Sequence, residues 1–116
     1  MRFTIKRKLI LEEIRMNCKV NRNAAKELKK LLSTEAAKGK MIRVVISHMH
    51  GDHAHYDIEL DTPTDYDEII KTDKDIEILL DTREEFLDGV WIKYFHIPEP
   101  GFEITNPEKG GHGHHH

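Results

Sequence analysis

The chain has 116 residues, 18 Lys and Arg against 21 Asp and Glu, a formal charge of −3 with neutral histidines, and one cysteine. That length fits a single domain whose core needs no staples, a lone cysteine excludes an internal disulfide, and the acidic balance excludes the basic field of a nucleic-acid binder. No apolar run approaches the roughly 20 residues of a membrane helix, and the first eight residues lack a signal-peptide core, so a cytoplasmic protein without membrane partners is expected.

Residues 1–15 read as a basic N-terminal extension whose Leu9-Ile10-Leu11-Glu12-Glu13-Ile14 suits a short strand or a short helix, with Met16 as an alternative start. Cys18-Lys19-Val20 then forms a short strand, and Asn21 or Asn23 offers a helix cap. Ala24, Leu28, Leu31 and Leu32 recur at helical spacing, with lysines and Glu27 opposite, so an amphipathic helix should run to about Lys38-Gly39, where glycine suits the left-handed end. Strands follow over residues 41–47 and 56–61, the latter alternating Tyr56, Ile58 and Leu60 with Asp57, Glu59 and Asp61 as a half-buried antiparallel strand does. Turns at Thr62-Pro63-Thr64 and Thr72-Asp73-Lys74-Asp75 separate further strands over 66–72 and 76–80. Thr82 caps a short helix that Asp88-Gly89 ends, and residues 90–95 and 102–105 supply the last strands. The expected class is α+β, mainly β with two helices, and residues 108–116 form a Gly/His-rich tail.

Eight of the nine histidines fall in two clusters, His48-Met49-His50-Gly51-Asp52-His53-Ala54-His55 and His112-Gly113-His114-His115-His116. Neutral imidazole is a common ligand of borderline transition metals, and strand alternation puts residues i and i+2 on one face. His48 with His50, or His53 with His55, can therefore each grip one ion. Protonating all nine would change the charge from −3 to −3 + 9 = +6, so metal should be lost on mild acidification.

From about Met16 onward the chain resembles the HesB-like, A-type iron–sulfur carrier family. The resemblance is carried by residues 23–32, by Tyr56-Asp57-Ile58-Glu59-Leu60-Asp61, by Phe86-Leu87-Asp88-Gly89-Val90-Trp91-Ile92-Lys93-Tyr94 and by Gly101-Phe102-Glu103-Ile104-Thr105-Asn106-Pro107. It implies a compact β-sandwich-like domain over residues 16–107, with two helices on one side. It also implies iron–sulfur or metal assembly proteins as partners and a homodimer or tetramer as the assembled state. Carriers of this family hold their cluster with one loop cysteine and a Cys-Gly-Cys pair in the tail. Here His112-Gly113-His114 stands at the pair, and the loop cysteine falls at Gly51, beside His50, the natural substitute with a one-residue insertion. Clusters demand soft thiolates, so a divalent zinc, nickel or iron ion is expected in place of an iron–sulfur cluster. The expected ligands come from His48, His50, His53, His55, His112 and His114, with His50, His53, His112 and His114 closing on one ion, and Asp52 or Asp57 offers a carboxylate.

Two alternatives stand beside this non-enzymatic metal-binding reading. His48-Met49-His50-Gly51-Asp52-His53 matches the His-x-His-x-Asp-His motif of metallo-β-lactamase-fold hydrolases, although that fold needs about twice this length. A scaffold that kept the fold, lost the cluster and binds a protein partner is the other. His96 reads as a solvated loop residue, Cys18 as a small semi-buried residue without reactive role, Trp91 and Phe95 as sheet residues, and Asp65, Asp67, Glu68, Asp73 and Asp75 as a solvated face.

Overall fold

A computed structural model describes residues 15–109. The N-terminal extension up to Ile14 and the tail from Gly110, with His112 and His114, lie outside the described residues.

The chain order is β1 (Cys18–Val20), α1 (Arg22–Leu32), β2 (Met41–His50), β3 (His53–Asp61), β4 (Asp67–Lys71), β5 (Glu77–Asp81), β6 (Val90–Phe95) and β7 (Gly101–Thr105). The strands form two sheets, one ordered β1-β6-β7 and the other β3-β2-β5-β4. β1 runs parallel to β6 and β2 parallel to β5, while the β2/β3, β4/β5 and β6/β7 pairs are antiparallel. One core joins both sheets to the helix through Leu28, Ile42, Ile78, Leu80, Val90 and Ile92. The inward residues of β6, Val90 and Ile92, are fully buried while Trp91 between them is not, the period-2 pattern that defines a half-buried strand.

α1 begins where Asn21 accepts the Ala24 N–H at 2.7 Å, the expected cap. It ends at Leu32, earlier than the predicted Lys38-Gly39, because the Ser33 and Thr34 hydroxyls take the Lys30 and Leu31 carbonyls and a single 3₁₀ turn, Glu35–Ala37, follows. The buried stripe is Ala24, Ala25 and Leu28, and Leu31 lies outside it at 36% exposure. The second predicted helix is a single 3₁₀ turn, Glu85–Leu87, so the described residues hold one α-helix rather than two. Thr82 does not cap it; its hydroxyl bonds the Tyr66 carbonyl instead.

Two polar locks hold the sheets. Arg43, 8% exposed, donates to Asp67 at 2.5 and 2.7 Å, to Asp61 at 3.0 Å and to the Thr62 carbonyl at 3.0 Å. The Asp67 side chain is wholly buried, which corrects its reading as part of a solvated face. Asn106, also buried, donates to the Phe86 and Asp88 carbonyls, both at 2.8 Å, and so ties β7 to the turn before β6.

Candidate metal centre

The first histidine cluster is not a loop between strands, as its sequence position suggested. β2 continues to His50 and β3 starts at His53, so four histidines sit in a hairpin closed by Gly51 and Asp52 alone. Gly51 has φ +59, the left-handed backbone that the first position of a two-residue type II′ turn takes. The turn fixes the register.

That register decides where the imidazoles go. Ile46 stands opposite Tyr56, but the next pair is His48 with His55, followed by Met49 with Ala54 and His50 with His53. Ser47 is the extra residue of a β-bulge, and its hydroxyl bonds the His55 carbonyl at 3.2 Å. A bulge shifts the alternation by one. Ile46 and Tyr56 therefore face the core, whereas His48, His50, His53 and His55 share the opposite face. Unbroken alternation from Ile42 through Val44 and Ile46 would have put His48 and His50 on the core side, away from His53 and His55.

The side chains follow the backbone. His48 and His50 ring centroids lie 4.3 Å apart, His48 and His55 5.9 Å, and His50 and His55 5.7 Å. The Nε2 atoms of His48 and His50 are 3.0 Å apart, one ring donating and the other accepting. His48, His50 and His55 are exposed and His53 is half-buried. As the rings stand, no group of three His, Cys, Asp or Glu side chains among the described residues is arranged to hold an ion. The donors are gathered on one face, and closing them needs rotation of exposed rings about their own side-chain bonds.

Of the carboxylates considered with them, Asp52 lies in the turn and Asp57 follows His55 along the outward face of β3, where its Oδ1 accepts the Ile58 N–H at 2.9 Å. His96 lies after β6, against the Tyr94 ring at 5.2 Å, outside the hairpin. Within the described residues, β3 and the segment after β7 share an anchor. Tyr56, next to His55, donates to the Phe86 carbonyl at 2.7 Å, and Asn106, three residues before Lys109, donates to that same carbonyl.

An iron–sulfur cluster does not fit this donor set. Its ligands are thiolates, and the sole cysteine, Cys18, pairs with Val90 in the other sheet, where burial pushes its thiol up to about 12. Imidazoles are donors of the kind that borderline divalent ions take.

Fold and site together define a small two-sheet protein that displays an imidazole array on one hairpin. In fold the chain is similar to SufA of Escherichia coli, whose structure is described as that of a protein involved in biosynthesis of iron–sulfur clusters. The TM-score is 0.66 at 15% identity, over 79% of this chain and 82% of that one. This agrees with the fold that the sequence resemblance implied, and at that identity the likeness is one of fold. No protein-family model matches the sequence, and no curated protein matches it. Among the described residues no helix is long and apolar enough to cross a membrane.

Proposed function

We propose that this is a metal-binding protein on a SufA-like fold. It binds a divalent transition metal, zinc, nickel or iron, through the hairpin histidines His48, His50, His53 and His55, joined by His112 and His114 of the tail. It acts as a carrier or buffer in metal or iron–sulfur cluster assembly, in the cytoplasm, and not as an enzyme. Its partners are assembly proteins and, in a dimer or tetramer, further copies of itself.

One observation carries the reading: the two-residue turn sets a register, accommodated by the bulge at Ser47, that brings all four hairpin imidazoles to one face and three of their rings into mutual contact. Four histidines in a solvated hairpin need no such convergence for folding, since none belongs to the core.

The test is elemental analysis with an absorption spectrum on untagged protein purified anaerobically, beside a version truncated after Gly111. Stoichiometric metal without sulfide charge-transfer bands, diminished by truncation, is the expected result. Absence of metal from both versions would favour the partner-binding scaffold.

A further inference from the structure

Resting on that reading, the geometry points to a tetragonal ion, copper(II) or nickel(II), as the cargo of the hairpin face in preference to zinc. The four imidazoles do not surround a point. They rise from one face of a two-stranded ribbon, His48 directly opposite His55 and His50 directly opposite His53. Their Cβ atoms thus form a rectangle about 5 Å across the ribbon and about 6.6 Å along it.

Donors rising from such a rectangle approach an ion from one hemisphere. A tetrahedral ion distributes its ligands in all directions, so four donors from one flat face must bend around it, two of them rising past the ion. A tetragonal ion takes four nitrogens near one plane and leaves its axial positions to water or a tail histidine. No thiol enters the rectangle. The nearest carboxylate along β3, Asp57, is turned to its own Ile58 N–H, so a hard cation finds no oxygen donors among the four positions.

The test uses the full-length chain with His112, His114, His115 and His116 changed to Ala, so that the hairpin supplies the donors. It is titrated separately with Ni²⁺, Cu²⁺ and Zn²⁺ against a competing chelator, and the copper-loaded sample is examined by electron paramagnetic resonance. The expected result is one ion per chain, Ni²⁺ held at least tenfold tighter than Zn²⁺, and a copper spectrum with at least three equatorial nitrogens. His53→Ala in the same background should weaken Ni²⁺ at least tenfold and Zn²⁺ less than threefold. Zn²⁺ bound as tightly as Ni²⁺, or an equal response of both to His53→Ala, would overturn the tetragonal assignment and leave the hairpin as a metal site. Failure of all three ions to bind stoichiometrically would overturn the hairpin as a metal site as well.

Discussion

Asn106 lies directly over Gly89: a Cβ added at Gly89 would stand 2.8 Å from Asn106 Oδ1, and Gly89 has φ +101. The two residues come from the two motifs that carry the sequence resemblance, Leu-Asp-Gly and Asn-Pro, and the contact gives both a physical reason. Glycine admits the left-handed turn and the close approach, and the Asn106 amide satisfies the two carbonyls that the turn exposes. Gly89→Ala is expected to cost about 1–3 kcal/mol from its backbone alone. Asn106→Ala should cost a similar amount, about 1–3 kcal/mol, by taking the Asn106 partner from the Asp88 carbonyl and the Glu108 N–H. Urea unfolding checks both, and a cost below about 0.5 kcal/mol for either would remove this lock from the account.

The Arg43–Asp67 pair makes the fold acid-sensitive. Burial works to raise the Asp67 carboxyl, but hydrogen bonds from Arg43 and from the Thr64 backbone and hydroxyl outweigh it and hold Asp67 below the usual carboxylate range. A value lowered by folding contributes stability that is complete above the unfolded value of about 3.9 and is lost as pH falls through the folded one. Asp67→Asn should therefore cost about 3 kcal/mol near neutrality, the low end for a broken buried pair, because Asp61 still holds Arg43 Nε. It should also flatten the fall in stability below about pH 4. Unfolding midpoints at neutral and acid pH measure both effects; an unchanged acid slope in Asp67→Asn would contradict the assignment.

Hairpin register separates the role of Ser47 from that of Gly51. Deleting Ser47 removes the bulge yet keeps His48 opposite His55 and His50 opposite His53, so metal affinity should stay within about threefold. Gly51→Val touches no ligand but places a β-branched side chain at φ +59. The strain, about 1–2 kcal/mol, disfavours the two-residue turn and should weaken metal binding about tenfold. Isothermal titration with Ni²⁺ compares the two; a larger loss on deleting Ser47 than in Gly51→Val would reverse the argument.

Much of the fold is legible in the sequence where the signal is local. β6 spans residues 90–95 as predicted because its inward positions alternate without interruption, and Asn21 caps α1 as its side chain dictates. The helix end is less legible, since Gly39 does take a left-handed φ of +76 but closes the turn after a separate 3₁₀ segment. Arg43 and Asp67 lie 24 residues apart, beyond any local pattern. The site is half legible. Residue type marked the four hairpin histidines, and i, i+2 spacing paired them within each strand. Their union on one face depends on the two-residue turn at Gly51 and Asp52, which the bulge at Ser47 accommodates and which leaves no periodic trace. Gly51 next to Asp52, between two apolar-flanked runs, was the available signal for that turn.

The most direct test of the central claim is the metal content of full-length protein purified anaerobically, in three forms: unaltered, His48→Ala/His55→Ala, and His96→Ala. Stoichiometric transition metal is expected in the first and third and a loss of at least tenfold in affinity in the second, since His48 and His55 face each other within the array and His96 lies outside it. Equal loss in the second and third forms, or full metal retention in the second, would contradict the claim.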